Sequence, residues 1–168
     1  DKIYVLYPSG QLFEDVDKVS KSSNGALIKK IQDKKIILSV GRLIPRKGQL
    51  RALKALTLLL KNNPEVHYVI IGNGQDADEI EKYIKEEKLK SSVTLAREVS
   101  NKEMFDWYSL ATIFLLPTVS DPPDVEGFGL VFVEAGRYGI PVIGGKGAGV
   151  DEAISDGVNG FLIDGNSQ

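Results

Sequence analysis

Residues 36–48 read IILSVGRLIPRKG, a continuous apolar run that ends in glycine and basic residues. The same order, a short β-rich apolar run followed by a longer helical pattern, recurs along the chain. Apolar runs that do not alternate with polar residues are typical of parallel strands covered on both faces. The repetition predicts right-handed crossovers and a doubly wound α/β sheet. The predicted strands cover residues 3–6, 36–40, 66–71, 93–96, 113–116, 142–143 and 161–163.

Helical patterns fill the intervals between these strands. Ser100 and Glu103 have the spacing of a capping box, which marks the start of one helix. The polar region 13–33 is interpreted as either a long surface loop or an irregular helix. The predicted helices lie near residues 50–60, 80–84, 101–108, 130–138 and 150–155.

Length and composition exclude several classes of protein. The chain has 168 residues, 42% hydrophobic and 26% charged, as expected for one soluble globular domain. A net charge of −2 gives no support to nucleic-acid binding. The absence of cysteine excludes disulfides and cysteine-ligated zinc, and one histidine argues against a multi-histidine metal site. No apolar run reaches the roughly 20 residues of a transmembrane helix, so we expect a cytoplasmic protein.

A basic loop, residues 41–48, follows the strand at 36–40 and precedes a helix. Arg42, Arg46 and Lys47 lie there between two glycines. A guanidinium matches the geometry of phosphate oxygens, an ammonium adds a point charge, and the helix N-terminus adds partial positive charge. The loop therefore predicts an anion site, although a solvated basic loop is an equal alternative. It lacks the spacing of a P-loop.

A second glycine turn, residues 72–77, reads GNGQDA and formally matches the dinucleotide fingerprint G-x-G-x-x-A. Glu98 follows about one strand later, which leaves open an NAD-type oxidoreductase domain. The fingerprint usually lies on the first βα unit, and Asp76 and Asp78 would repel a pyrophosphate. We therefore favour a structural turn with left-handed glycines and acidic capping of the next helix.

Residues 124–135 read DVEGFGLVFVEA, with two glutamates on either side of a Gly-Phe-Gly turn. Glu126 is expected in the loop and Glu134 about two turns into the following helix, so that the pair reaches opposite ends of one elongated ligand. Ionised carboxylates accept hydrogen bonds from sugar hydroxyls. The alternative makes Glu126 a helix-capping acid and Glu134 a surface residue. A third glycine-rich turn, at 144–149, is expected to expose backbone N–H groups in the same way.

In order and spacing, these motifs resemble the GT-B retaining glycosyltransferases of family 4, also called group 1. The resemblance implies a Rossmann-like domain, the C-terminal, donor-binding half of the GT-B fold. Residues 41–49 and 124–127 are most similar to bacterial phosphatidylinositol-type mannosyltransferases. The matching positions are residues 3–8, 41–48, 71–74, Pro117, the Glu126 and Glu134 pair, 139–143 and 157–161.

The resemblance also implies roles for individual residues. Arg42 and Lys47 would bind the donor diphosphate and stabilise the leaving group, Glu126 would contact the transferred sugar, and Glu134 would bind the ribose hydroxyls. Two such cations can substitute for a divalent metal, so no metal and no cofactor is expected. Residues 97–99 would border the base, and backbone amides at 128–131 would hold the phosphates and the sugar. The implied donor-binding residues besides Glu134 are Gly41, Arg97, Glu98, Val99, Gly127, Phe128, Gly129, Leu130 and Val131.

Two features depart from the family pattern. Arg97 stands where the family often has glycine before the base-binding residues, and Asp-Pro-Pro-Asp at 121–124 is a local elaboration. The family's catalytic-site histidine belongs to the N-terminal domain. His67 begins a buried strand and does not replace it.

We expect residues 1–168 to form a single nucleotide-sugar-binding domain of a two-domain hexosyltransferase, without its N-terminal acceptor domain. The donor would be GDP-mannose or a UDP-hexose. The acceptor, a sugar or a lipid, and any peripheral membrane association would depend on the other domain, so this chain alone is expected to be inactive in transfer. Three alternatives remain: the NAD-type oxidoreductase domain, a metal-dependent GT-A enzyme with a D-x-D at 15–17, and a non-enzymatic binding module with a degenerate site.

Overall fold

The structure, a computed structural model, describes residues 25–119, 127–147 and 149–165. Within these residues, six parallel strands form one sheet. They are β1 (Lys35–Val40), β2 (Val66–Ile71), β3 (Val93–Ala96), β4 (Ala111–Leu116), β5 (Val142–Gly145) and β6 (Gly160–Ile163). Their spatial order is β3-β2-β1-β4-β5-β6, which confirms the predicted doubly wound α/β sheet. The predicted strand at 3–6 lies outside the described residues.

Helices connect the strands where the sequence predicts them. They are α1 (Gly25–Ile31), α2 (Gln49–Asn62), α3 (Ala77–Glu86), α4 (Asn101–Leu110), α5 (Leu130–Arg137) and α6 (Val150–Ala153). The capping box of α4 is confirmed, because Ser100 Oγ accepts from the Glu103 N–H and a Glu103 carboxylate oxygen accepts from the Ser100 N–H. α1 shows that part of the region left open at 13–33 is helical. No described helix has the length and apolar character that a membrane crossing requires.

Hydrophobic side chains fill both faces of the sheet. On one face Trp107, Tyr108 and Phe132, each at most 2% exposed, pack with Phe114 of β4. On the other face α2 and α3 pack apolar residues such as Leu53 against β1 and β2. Burying one such large side chain contributes roughly 1.5–3 kcal/mol. Coverage on both faces explains why the strand sequences are continuous apolar runs.

The direction of winding reverses between β1 and β4. From β1 the chain winds outward to β2 and β3 in one direction, and from β4 to β5 and β6 in the other. Ligands of open α/β sheets bind beyond the carboxyl ends of the strands at this reversal. The residues that leave these two strands are Gly41 and Arg42 after β1 and Pro117 after β4.

His67 lies in the middle of the fold and gives it a dependence on pH. Its side chain is buried on β2, and Nε2 forms a hydrogen bond with Thr94 Oγ1 at 2.8 Å. Burial lowers the pKa of His67 to about 4, with a smaller contribution from the positive charge of Lys34. The unfolded chain takes up this proton near pH 6.5, whereas the folded protein resists it until about pH 4.

The free energy of unfolding is therefore expected to fall as the pH drops from 6.5 to 4, by about 3 kcal/mol from this group. Urea titrations at several pH values measure it. Carboxylates also titrate at the acid end, so His67→Gln, which keeps a polar side chain beside Thr94 but does not titrate, is the control. Parallel pH profiles for the two proteins would contradict the prediction.

Candidate functional site

The basic loop lies at the carboxyl end of β1, as predicted. It leaves the strand at Gly41, forms a 3₁₀ turn over Pro45–Lys47 and enters α2 through Gly48. Arg42 is exposed and Lys47 is half-buried. Gly48 has a φ of 76°, and a side chain there would collide with the carbonyl oxygen of Pro117. The loop thus packs backbone to backbone against the segment that leaves β4.

Gln49, the first residue of α2, forms hydrogen bonds to the start of this loop. Its side chain is fully buried, and Nε2 donates to the carbonyl oxygens of Gly41 at 3.4 Å and Arg42 at 3.1 Å. Fixing these two carbonyls orients the peptide units from which the Arg42 side chain projects. The sequence analysis missed Gln49, because a glutamine at the first position of a helix gives no sign that it is buried.

Arg51 joins the two sides of the winding reversal. Its Nη1 donates to the Pro45 carbonyl at 3.2 Å, and its Nη2 donates to the Pro117 carbonyl at 3.1 Å. The Val119 N–H adds a bond to the Arg46 carbonyl at 2.8 Å. Burial lowers the pKa of Arg51, while the charge of Asp76 opposes the shift. These bonds join the basic loop to the segment that leaves β4.

The second glycine turn proves to be a packing feature. Asn73 and Asp76 exchange backbone hydrogen bonds with Leu43, and a side chain at Gly74 would fall on the Leu43 carbonyl. The structural interpretation of this turn is confirmed, but two details were wrong. Gly72 and Gly74 have φ values of 144° and 154° rather than left-handed helical ones, and the side chain of Asp76 makes no capping bond to α3.

The third glycine-rich turn also differs from expectation. The Lys146 N–H donates to the Ile163 carbonyl at 2.7 Å, and the Gly147 N–H donates to the Asp151 carboxylate at 2.9 Å. The protein itself satisfies these two N–H groups, so they are not open to a ligand as the sequence predicts for this turn.

The Gly-Phe-Gly turn opens α5, as predicted. Gly129 has a φ of 70° and precedes the first helical residue. Among the described residues, the backbone N–H groups of Leu130 and Val131 have no acceptor, as is usual in a first helical turn. Open N–H groups at a helix N-terminus attract anions. Phe128 is half-buried and Gly127 is exposed.

Glu134 follows this turn on α5, just over one helical turn in rather than the two turns expected. Its side chain is half-buried, and Oε2 accepts a hydrogen bond from Tyr108 Oη at 3.0 Å. Glu134 is thus joined to α4 by a side-chain hydrogen bond, and its role toward a ligand stays a prediction. Glu126, the other member of the pair, lies outside the described residues.

The segment 97–99 leaves β3. The Arg97 guanidinium donates to Asp78 at 2.6 Å and to Glu81 at 2.8 Å, both carboxylates of α3. These acids raise the pKa of Arg97. Glu98 is exposed, and Val99 packs against the buried cluster beside α4. The guanidinium of Arg97 thus forms ion pairs with two side chains of the protein itself. The role of residues 97–99 in binding the base stays a prediction.

The described parts of the site combine a basic loop and a glycine turn on opposite sides of the winding reversal. The basic loop presents positive charge, and the glycine turn presents the open N–H groups of Leu130 and Val131. The carboxylate of Glu134, which accepts a hydrogen bond from Tyr108, lies about one helical turn beyond that turn. Among the described residues, no group of three or more metal-ligating side chains comes together. The fold is a doubly wound α/β domain, and residues of the kinds that bind anions follow the two strands at which the winding reverses.

Comparison with known proteins identifies the family. Residues 25–168 match the family described as glycosyl transferases group 1, and the chain belongs to this family. A GDP-mannose-dependent alpha-(1-6)-phosphatidylinositol monomannoside mannosyltransferase of Mycolicibacterium smegmatis is 30% identical over 79% of the chain and 35% of its own length. A D-inositol 3-phosphate glycosyltransferase of Streptomyces scabiei is 29% identical over 99% of the chain and 38% of its own length. The chain thus spans about a third of the length of these relatives.

Solved structures agree with this assignment. Anabaena Alr3699/HepE in complex with UDP and glucose has a TM-score of 0.70 at 26% identity, over 88% of this chain and 40% of that one. The C-terminal domain of the group 1 protein LpcC from Francisella tularensis has a TM-score of 0.70 at 28% identity, over 84% and 73%. The predicted Rossmann-like fold, the C-terminal half of a GT-B fold, is confirmed. The NAD-type alternative is not supported, and residues 72–77 already have a packing explanation.

Proposed function

We propose that this chain binds a nucleoside diphosphate sugar and serves as the donor-binding half of a retaining hexosyltransferase. The basic loop follows β1 and the glycine turn follows β4, the two strands at which the winding reverses, and this observation carries the proposal. A diphosphate carries the negative charge that both features attract. The Mycolicibacterium relative is named for GDP-mannose and the Anabaena structure contains UDP, so the proposal covers both bases.

The proposed chemistry follows from where charge develops. When the bond from the sugar to the diphosphate breaks, negative charge grows on the β-phosphate. Arg42 and Lys47 would stabilise that charge more in the transition state than in the ground state. The open N–H groups of Leu130 and Val131 would add to this stabilisation. Because the cations are supplied by the protein, the reaction would need no divalent metal.

The other roles complete the proposal. Glu126 would contact the transferred sugar, Glu134 would accept hydrogen bonds from the ribose hydroxyls, and residues 97–99 would border the base. The acceptor sugar or lipid would bind to an N-terminal domain of a longer polypeptide. That domain would also mediate any contact with a membrane, and the enzyme would act in the cytoplasm.

The first test is a thermal-shift series with UDP, GDP, ADP and NAD, each with and without magnesium. UDP or GDP is expected to raise the melting temperature without magnesium, because the paired cations already neutralise the diphosphate. At about 100 times its Kd, a ligand adds about 2.7 kcal/mol to the free energy of unfolding, which this assay resolves.

Three other results would contradict the proposal in different ways. A shift that appears only with magnesium would favour a metal-dependent donor site. A shift with NAD alone would revive the dinucleotide interpretation. No shift with any nucleotide would favour a binding module whose donor site is degenerate.

A further inference from the structure

Tyr108 links α4 to α5 at the carboxylate of Glu134. Its hydroxyl must be the donor of the 3.0 Å hydrogen bond, since a carboxylate only accepts. The phenol is 1% exposed, and its ring stacks on Tyr138 at a centroid distance of 5.4 Å and on Phe114 at 6.1 Å. Packing on both rings fixes the hydroxyl in place, so the position of Glu134 Oε2 is fixed with it.

The other oxygen of Glu134 has a different environment. Within the described part of the chain, no cation and no second donor contacts this carboxylate. Oε1 is therefore available to accept a hydrogen bond from a ligand hydroxyl.

The position of Glu134 along α5 places this acceptor just over one helical turn from the glycine turn. Glu134 is four residues beyond Leu130, which corresponds to about 6 Å along the helix axis. Side chains of a helix lean towards its N-terminus, so the carboxylate lies nearer to the glycine turn than its Cα does. A ligand whose phosphates contact Leu130 and Val131 would bring its adjoining sugar towards Glu134.

We propose that Tyr108 is a positioning residue, which holds Glu134 so that Oε1 accepts a hydrogen bond from a ribose hydroxyl of a nucleoside diphosphate. This inference rests on the proposed function and concerns the same site. The benefit is preorganisation, because a carboxylate already held in one rotamer loses less entropy when the ribose binds. Burial, together with the charge of Glu134, raises the pKa of Tyr108, which favours the protonated phenol that donates this hydrogen bond.

Tyr108→Phe tests the inference, because it removes one oxygen atom and keeps the stacked ring. Calorimetry would compare UDP and GDP with their 2′,3′-dideoxy counterparts, which lack the ribose hydroxyls. Tyr108→Phe is expected to weaken the binding of the ribonucleotide about three- to tenfold and to leave the affinity for the dideoxy compound unchanged. Tyr83→Phe is the matched control. It removes a hydroxyl that bonds to Thr57 at 3.1 Å on the opposite face of the sheet, so it should leave both affinities unchanged.

A double-mutant cycle with Glu134→Ala shows whether Tyr108 acts through the carboxylate. In the Glu134→Ala background, Tyr108→Phe is expected to cause no further ribose-selective loss. Equal losses for the ribonucleotide and the dideoxy compound, or no loss at all, would overturn the inference while leaving the proposed function intact. If the unaltered chain binds neither UDP nor GDP, both the proposed function and the inference fail.

Discussion

Arg42→Ala is expected to weaken the binding of UDP or GDP by roughly ten- to a hundredfold, and Lys47→Ala to act in the same direction. A charge-assisted hydrogen bond to phosphate contributes about 1.5–3 kcal/mol, and each 1.4 kcal/mol corresponds to about a factor of ten in affinity. The affinity for uridine or guanosine, which carry no phosphate, is expected to stay nearly unchanged. Calorimetry measures the diphosphates, and NMR titration measures the weaker nucleosides.

The matched control for these variants is Lys61→Ala. Lys61 lies in the last turn of α2, where it forms an exposed ion pair with Glu87 at 2.6 Å. Lys61→Ala changes the net charge of the protein by the same amount as Arg42→Ala. Lys61 itself lies at the opposite end of α2 from the basic loop. If Lys61→Ala weakens diphosphate binding as much as Arg42→Ala does, the effect is a general electrostatic one. If Arg42→Ala weakens nucleoside and diphosphate equally, the phosphate site is elsewhere.

The fold could be predicted from the sequence because it depends on patterns that are local in the chain. The runs at 36–40 and 66–71 are apolar throughout, and the structure buries residues of both strands on both faces. The capping box at Ser100 is likewise local, since its two partners are three residues apart. Each of these signals is complete within a few residues, so no knowledge of the tertiary structure is needed to find it.

The hydrogen bonds between residues that are far apart in the sequence are of a different kind. Arg51 reaches the carbonyl of Pro117, 66 residues further along the chain, and Tyr108 reaches Glu134 across 26 residues. Neither side chain belongs to a motif, and nothing in its immediate neighbours indicates its partner. Only the packing of the helices on the sheet brings these groups together, and the sequence analysis therefore missed both.

Arg97 shows that contacts between distant residues also limit what the sequence predicts for a residue within a motif. The family resemblance implies a role beside the base for Arg97, yet its guanidinium binds Asp78 and Glu81, 19 and 16 residues earlier in the chain. Both acids are on the exposed face of α3, where the sequence offered only a charged helix. A ligand would compete with these carboxylates for the Arg97 guanidinium. The sequence cannot reveal this competition, because it depends on how α3 packs against the end of β3.

The largest expected effect concerns transfer itself. The chain corresponds to 35% of the length of its Mycolicibacterium relative, and its described site has features suited to the donor diphosphate. We expect this chain alone to bind the nucleotide but to transfer sugar at least about a thousandfold more slowly than the longer polypeptide in which we propose it occurs. Positioning two reactants supplies roughly 7–11 kcal/mol of barrier reduction, and a donor half by itself cannot position the acceptor.

In the assay, the chain and the longer polypeptide are incubated separately with the same donor, UDP-glucose or GDP-mannose, and the same acceptor. The rate of product formation is measured for each. Arg42→Ala in the longer polypeptide is the matched variant, because it should abolish transfer if the leaving group is stabilised in this domain. Slow hydrolysis of the donor by the chain alone agrees with the prediction, since Arg42 and Lys47 would still stabilise the departing diphosphate in the presence of water. Turnover by the chain alone at a rate comparable with that of the longer polypeptide would mean that a complete active site lies within these 168 residues, and the two-domain interpretation would then be wrong.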